Sequence, residues 1–196
     1  MAAPDLTGIL DFLRSAEQLK STLRTCYAAT GRQESVAEHS WRLALMAMLL
    51  RHEFPELDAG KVLRMCLIHD LGEAIGGDIP APEQARRREE DPSSGKAEQE
   101  RRDLVTLLAP LPAALQLEIT TLWDEYEAAA SPEARLVKAL DKLETILQHN
   151  QGKNPAGFDY GFNLEYGRQY TGGHPVIVTL RELMDAETVG RLKAEG

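Results

Sequence analysis

The nine residues VLRMCLIHD, numbered 62–70, decide the fold. Val62 to Ile68 form an almost wholly apolar run that must be buried, and the run ends in the ionisable pair His69 and Asp70. A polar pair at the end of a buried segment costs free energy unless both side chains find partners. A divalent cation satisfies both at once, because neutral imidazole and carboxylate are ligands for zinc, manganese, cobalt or iron. The stretch therefore indicates a buried helix with a metal site at its end.

Length, charge and cysteine content narrow the class of protein. The chain has 196 residues, of which 43% are hydrophobic, enough for one domain with a substantial core. The net charge of −9 disfavours binding to long nucleic acids, which needs a basic surface. The longest apolar run, 43–50, is far too short to span a membrane. Two cysteines, Cys26 and Cys66, make no disulfide framework, and no basic segment followed by an apolar run marks a secretory signal. We expect a cytoplasmic protein without a membrane partner.

Helical periodicity runs through almost the whole chain, and no strand signal competes with it. The first helix carries an apolar stripe, Leu6 to Leu13, spaced at i, i+3, i+4 and i+7. The other helices are predicted at about 35–51, 58–71, 97–108, 112–129, 131–150 and from 175 onward. The prediction is an all-α, single-domain helical bundle of residues 1–196. Its core lies at about 35–150, followed by a Gly- and Tyr-rich loop and a helix at about 152–196.

The start of the second helix is the clearest local signal. Ser35-Val36-Ala37-Glu38 has the form of a capping box, in which the serine hydroxyl accepts from the N–H of Glu38 and the glutamate reaches back to the serine N–H. This box places His39 in the first turn of the helix. Because 43–50 is apolar all round, we expect that half of the helix to lie deep in the core.

The segment between the third and fourth helices is predicted to be irregular. Asp78 to Pro82 contains two prolines, which forbid a regular helix. Residues 86–90 are densely charged and 91–95 are loop-like. The basic triplet 86–88 stands beside the acidic triplet 89–91, so it makes no coherent cationic patch.

Four residues on three predicted helices form one candidate metal-binding set: His39, His69, Asp70 and Asp141. Taken singly, each has an ordinary explanation, such as a histidine satisfied by a neighbour or an aspartate paired with a lysine. Together, the separations of 30 residues from His39 to His69 and 71 from Asp70 to Asp141 let three helices converge on one point. Two histidines and two carboxylates suit a divalent cation and leave positions open for water and substrate.

The order H…HD…D resembles that of the HD-domain metal-dependent phosphohydrolase superfamily. Four short sequence motifs resemble those of its 5′-deoxynucleotidase branch in particular: LKSTLRTCY at 19–27, ESVAEHS at 34–40, HDLGE at 69–73 and GDIP at 77–80. The resemblance covers most of the chain. Members of this branch hydrolyse deoxyribonucleoside 5′-monophosphates and are typically homodimers. The resemblance therefore implies an HD-type helical bundle, a small nucleotide substrate and one divalent metal ion, which is Mn, Co, Mg, Zn or Fe.

Words typical of other branches are absent. Ala74 stands where the guanosine-tetraphosphate hydrolases have the aspartate of HDxxED. The GYP word of the cyclic-dinucleotide branch does not occur. No histidine lies between His69 and His149, whereas the cyclic-nucleotide phosphodiesterases and triphosphohydrolases add one there. The pattern indicates a site for a single metal ion.

The resemblance also implies roles for residues outside the metal set. Glu73 is the expected acid–base group, with a helix-end surface ion pair as the alternative. Asp78 is expected to hold a hydrogen bond at the site or to assist the leaving oxygen, and the alternative is a turn aspartate before Pro80. Arg24 is the candidate phosphate ligand, since a guanidinium grips phosphate with two hydrogen bonds. Tyr27 offers an aromatic face to a base or sugar.

Several alternatives stay open at this point. The protein is either a nucleotidase, a phosphohydrolase for another small phosphoester, or a non-catalytic HD module that binds a nucleotide or a protein. Glu73 argues against the last, since a pure binding scaffold needs no acid beside a metal. Lys142 and Glu144 are expected to pair with neighbours on their own helix. The dimer contact is expected at 6–13 or 176–183, unless these apolar faces only pack on their own core.

Overall fold

The computed structural model describes residues 6–80 and 95–195. A two-stranded antiparallel ribbon, β1 (Leu23–Tyr27) and β2 (Gln33–Ser35), precedes the long helices, and 3₁₀ turns follow the first two helices at Glu17–Lys20 and Arg51–Glu53. The helices are α1 (Thr7–Ala16), α2 (Val36–Leu50), α3 (Ala59–Ile68), α4 (Glu73–Gly76), α5 (Lys96–Leu108), α6 (Ala113–Glu127), α7 (Pro132–Gln151), α8 (Gly161–Glu165), α9 (Arg168–Thr171) and α10 (Pro175–Glu195). The all-α prediction is confirmed. Within these residues, no helix combines the length and the apolar character needed to cross a bilayer.

Helix α7 is the centre of the bundle. It begins as predicted, with Ser131 accepting a hydrogen bond from the N–H of Ala134 and Pro132 in its first turn. Helices α2 and α3 pack against α7 and against each other, and α6, α9 and α10 also contact α7. The side chains at the centre of this packing are fully buried: Leu43, Met65, Leu140, Leu143 and Ile146. Polar side chains at this junction therefore lie in a nearly water-free environment.

The capping box at the start of α2 is confirmed. Ser35 Oγ accepts from Glu38 N at 3.3 Å, and Ser35 N donates to Glu38 Oε2 at 2.8 Å. Arg32 Nη2 holds the same carboxylate at 2.7 Å and lowers the pKa of Glu38 to about 2. Because the cap fixes the first turn, it also fixes the direction in which His39 leaves the helix.

The ribbon was not predicted. Leu23 pairs with Ser35 and Tyr27 with Gln33, and the turn between them includes Gly31 in the left-handed region at φ 86°. Burial alternates along β1, but the apolar Leu23 is exposed and the charged Arg24 faces inward, so the residue types lack the apolar–polar alternation by which strands are predicted. Tertiary contacts hold the ribbon instead, including β1 packed on α7.

The apolar second half of α2 corrects another expectation. Leu43 and Ala47 are buried, but Met48 and Leu49 are 42% and 66% exposed. Helices α3 and α7 cover the opposite face of α2. The face that carries Met48 and Leu49 is left uncovered within the described residues. The all-round apolar pattern predicted burial on every side of this half of α2, but only the residues on its inner face are buried.

Helix α3 is shorter than predicted. It ends at Ile68, so His69 and Asp70 lie in a turn before α4 begins at Glu73. Gly72 lets α5 approach closely, since a Cβ there would lie 2.8 Å from the carbonyl oxygen of Glu100. The turn thus presents His69, Asp70 and Glu73 at the same end of the bundle.

Residues 86–91, and the loop after them as far as 94, lie outside the described residues, as does Pro82 of the predicted loop.

The region 152–173, which has no clear period, contains the short helices α8 and α9. Arg181 is buried in α10 and donates to the carbonyl oxygens of Asn163, Leu164 and Tyr166, which fastens this region to the bundle.

Candidate active site

Both histidines of the predicted set use Nδ1 for a protein partner. His69 Nδ1 donates to the carbonyl oxygen of Cys66 at 3.0 Å, and His39 Nδ1 donates to the carboxylate of Glu144. Since both partners are acceptors, the proton of each neutral ring belongs on Nδ1. The lone pair of each Nε2 is then free for a metal ion.

The remaining donor atoms converge on these two nitrogens. His69 Nε2 lies 3.3 Å from His39 Nε2 and 3.0 Å from Asp70 Oδ2, and donor atoms of these three residues lie within 4.8 Å of one another. Asp141 Oδ1 lies 3.2 Å from His39 Nε2. Ligands about 2.1 Å from one tetrahedral ion are roughly 3.4 Å apart. The chemistry and spacing of the donors therefore fit a divalent cation.

Asp141 keeps its two oxygens for different tasks. Oδ1 faces His39, while Oδ2 accepts from Lys142 Nζ at 2.8 Å and from the hydroxyl of Tyr126 at 3.2 Å. Burial opposes ionisation, but Lys142 and His39 outweigh it and hold the pKa of Asp141 well below its usual range. Asp141 is therefore ionised, and its contacts with Lys142 and Tyr126 hold its orientation.

The charges around His39 favour a cation at this point. Burial and Arg24 act to lower the pKa of His39, but the carboxylates of Glu144 and Asp141 outweigh them and raise it to about 9. Burial likewise raises the pKa of Asp70, whereas His69 and His39 lower it more and hold it below its usual range. The pocket thus combines ionised carboxylates with the ring of His39, whose surroundings favour a positive charge.

Glu73 lies close to this cluster and has an uncommitted oxygen. Its Oε2 is buried and has no hydrogen-bond partner among residues 6–80 and 95–195. Burial, followed by the charges of Asp70 and Asp78, raises the pKa of Glu73 to about 10. A carboxyl group that keeps its proton near other carboxylates is typical of an acid–base residue. Asp78, which contributes to this shift, is itself partly exposed.

Arg24 reaches the same region from β1. Its side chain is only 11% exposed, and Nη2 donates to Thr145 Oγ1 at 3.0 Å, one turn after Asp141. Its Nη1 is buried without a hydrogen-bond partner in the part of the chain that the structure describes. Tyr27, at the end of the same strand, is partly exposed, and its carbonyl oxygen accepts from Gln148 at 2.5 Å.

Several residues at the site were missed or misjudged in the sequence. Lys142 pairs with Asp141 on its own helix as expected, but the expectation for Glu144 was wrong, because it binds His39 and Arg42 of α2. Tyr126 on α6 reaches Asp141, and Trp123 Nε1 donates to the carbonyl oxygen of His69 at 3.0 Å. The spacing of Glu144 three residues after Asp141, on the same helix face, is the one signal that points to it.

Comparisons with known proteins agree with this geometry. The family described as HD domain matches residues 16–177. The protein named 5′-deoxynucleotidase HDDC2 from Bos taurus is 35% identical over 192 residues, which cover 95% of this chain and 89% of the relative. Its namesake from Mus musculus is 38% identical over 185 residues, covering 92% and 88%.

Solved structures share the arrangement of helices. One, described as a predicted metal-dependent phosphohydrolase from Magnetospirillum magnetotacticum MS-1, has a TM-score of 0.76 and 30% identity and covers 95% of this chain and 93% of its own. The HD-domain match spans His39, His69, Asp70 and Asp141, so the converging donor atoms all lie inside the shared region.

Proposed function

This chain belongs to the HD-domain family, and we propose that it is a metal-dependent phosphohydrolase that cleaves deoxyribonucleoside 5′-monophosphates to the deoxynucleoside and phosphate. The convergence of two imidazole Nε2 atoms and two carboxylates beside an uncommitted buried glutamate carries this proposal. The relatives named 5′-deoxynucleotidase support the choice of substrate.

The side chains of the site divide the work of the proposed reaction. His39, His69, Asp70 and Asp141 would hold one divalent ion, which supplies an activated water and stabilises charge on the phosphoryl group. Lys142 and Tyr126 keep one oxygen of Asp141 occupied, so that the other points at His39.

Glu73 and Asp78 are the proposed proton-handling groups. A cation held beside Glu73 would lower the pKa of its carboxyl group, so that the ionised Oε2 accepts the proton of the attacking water or orients that water. Asp78 lies close enough to raise the pKa of Glu73, and it supports that carboxyl group or the leaving oxygen. Arg24 would donate from Nη1, which is unpaired among the described residues, to the phosphate, and Tyr27 would face the base or sugar.

The test is phosphate release from a panel of deoxy- and ribonucleoside 5′-monophosphates. Metal-stripped protein is assayed alone and with manganese, cobalt, magnesium, zinc or ferrous iron added, since donor type by itself does not select among these ions. Metal-dependent release that favours deoxynucleotides is the expected result. Release from other phosphomonoesters only would redirect the proposal to another substrate. No release with any metal, from protein that still binds one, would favour the non-catalytic binding module.

Changing Arg24 to lysine is expected to lower kcat/KM by roughly 10–100-fold, mainly through KM. Lysine keeps the charge but loses the second N–H of the fork, and a hydrogen bond to a charged group contributes about 1.5–3 kcal/mol. Arg101→Lys, which alters an exposed ion pair with Asp124, is the matched control and should leave both constants unchanged. Equal kinetics for Arg24→Lys and wild type would remove Arg24 from the substrate site.

We also propose that two copies of the chain pair through α1. Ile9 and Phe12 pack on the core of their own chain, whereas Leu6, Leu10 and Leu13 are each at least half exposed. In the other candidate surface, on α10, Ile177 is buried and Val176 and Leu180 pack on the core, although Leu183 is 61% exposed, which favours α1 as the contact. An uncovered apolar stripe is typical of a protein interface.

Sedimentation of Leu10→Glu tests this pairing. The wild type is expected to sediment as a dimer at micromolar concentration and the variant as a monomer, because a glutamate would be buried in the interface. Leu117→Glu, at an exposed leucine of α6, is expected to remain dimeric. A monomeric wild type, or a dimeric Leu10→Glu variant, would reject α1 as the contact.

The location and domain organisation are also proposals. Both cysteines are free and buried, which is consistent with the reducing cytoplasm. Helix α10 packs on α7, which supports one domain spanning 1–196 rather than a separate C-terminal unit.

A further inference from the structure

Glu144 occupies an unusual position for a glutamate. It is 0% exposed, and it lies on α7 three residues after Asp141. Its Oε2 contacts His39 Nδ1, and its Oε1 accepts from Arg42 Nε at 2.6 Å and Nη2 at 2.5 Å. Burying a carboxylate is costly unless its charge is balanced and its oxygens are hydrogen-bonded, and here both oxygens have partners on α2.

We propose that Glu144 is a positioning residue for the metal site, which orients the ring of His39 and fixes its proton on Nδ1, and that Arg42 clamps Glu144 in place. The inference rests on the metal-dependent function proposed above. Glu144 does not touch substrate. It acts through His39, because the hydrogen bond determines which ring nitrogen presents a lone pair to the ion.

A second metal site is the competing interpretation of the same residues. Donor atoms of Glu34, His39 and Glu144 lie within 4.8 Å of one another. Cationic side chains already balance these carboxylates, however, since Arg24 Nε lies 3.8 Å from Glu34 Oε2 and Arg42 Nη2 lies 3.9 Å from Glu34 Oε1. The contact with Glu144 also favours the proton on His39 Nδ1, which would leave this nitrogen no lone pair to offer an ion. A positioning role fits these contacts better than a second ion.

The geometry predicts that glutamine does not substitute for Glu144. The site needs two acceptors on opposite sides, one for His39 Nδ1–H and one for the Arg42 guanidinium. A glutamine has one carbonyl oxygen, so its NH₂ group must face either a histidine N–H or an arginine N–H. Glu144→Gln therefore keeps the shape of the side chain but places two N–H donors against each other. The His39 ring is then no longer held in one orientation.

The test is the affinity of metal-stripped protein for Co²⁺ and Mn²⁺, measured by titration calorimetry. Glu144→Gln is expected to bind either ion about 10–100-fold more weakly than wild type, the usual effect of removing the hydrogen-bond partner of a ligating histidine. Nitrogen NMR of the Zn²⁺-loaded proteins is expected to show His39 protonated on Nδ1 in wild type and mixed forms in the variant. Glu133→Gln, on the same helix but paired with Lys61, should bind like wild type.

Arg42→Lys provides a second variant that keeps the buried charge balanced. It is expected to weaken Co²⁺ binding several-fold, because lysine holds Glu144 without the rigid fork of the guanidinium. It serves as the test if Glu144→Gln fails to fold. Folded variants with wild-type affinity and an unchanged His39 tautomer would overturn the inference. A wild type that binds no divalent ion would instead overturn the proposed metal site.

Discussion

Replacing Glu73 by glutamine is expected to reduce kcat for deoxynucleotide hydrolysis by about 10²–10⁴-fold while leaving metal affinity close to that of wild type. The reduction corresponds to the usual contribution of a positioned acid–base group. Glutamine keeps the size of the side chain and can still hydrogen-bond to a water. It cannot exchange a proton, which is the property that the buried Oε2 of Glu73, unpaired among the described residues, would supply.

The activity loss has to be separated from a loss of structure. Glu118→Gln, at an exposed ion pair with Arg64, is the matched control and should retain full activity. Co²⁺ titration of the Glu73→Gln variant should give an affinity near that of wild type. Near wild-type turnover in this variant would assign the proton transfer to another group, with Asp78 the next to test.

The pH dependence of stability gives a readout of Glu73 that does not depend on activity. In metal-free protein the pKa of Glu73 is raised to about 10, above its unfolded value near 4.5. Between these two pKa values the native state binds more protons than the unfolded state. The contribution of Glu73 to the stability of the native state therefore falls as pH rises. We expect the metal-free Glu73→Gln variant to gain stability relative to wild type as pH increases from about 5 to 9. A constant difference would show that Glu73 is ionised in the native state.

Replacing Asp141 by asparagine is expected to weaken Co²⁺ and Mn²⁺ binding by at least ~100-fold and to abolish turnover at limiting metal. The variant removes a charged ligand, a larger change than the loss of a hydrogen-bond partner, which alone costs 10–100-fold. It also leaves Lys142 without the carboxylate that it contacts at 2.8 Å.

Thermal unfolding measures the same loss without an activity assay. At a metal concentration 100 times its Kd, binding stabilises wild type by ~2.7 kcal/mol, which raises Tm by roughly 5–11 °C for a domain of this size. The Asp141→Asn variant is expected to show little of this shift under the same conditions. Asp124→Asn, which loosens an exposed ion pair with Arg101, should keep it. A full shift in Asp141→Asn would mean that the other three residues hold the ion without it.

Local patterns in the sequence predicted the parts of the fold that are locally determined. The capping box at Ser35 and the serine–proline start of α7 specify helix starts within four residues, and both are present. The apolar run ending at His69 predicted a buried helix, although the helix stops at Ile68. Such features depend on backbone geometry and burial, which residue order expresses directly.

Features that depend on distant residues could not be predicted in this way. The contact of Glu144 with His39 spans 105 residues, and that of Arg42 with Glu144 spans 102. No local period encodes either contact. The ribbon escaped prediction for a similar reason, because tertiary packing compensates for its missing alternation. The sequence suggested His39, His69, Asp70 and Asp141 as a group, whereas their supporting residues Tyr126, Trp123 and Glu144 required the structure.

Helix α7 carries three of these roles within five residues, and this concentration limits how the protein can change. Asp141 faces the metal site, Glu144 binds His39, and Thr145 accepts from Arg24. One residue inserted between Asp141 and Glu144 would turn everything after it by about 100° about the helix axis and move both Glu144 and Thr145 out of register with Asp141. These positions along the helix are therefore constrained together. New substrate preferences would have to arise on the ribbon and the loops around it, which can vary in length without changing that register.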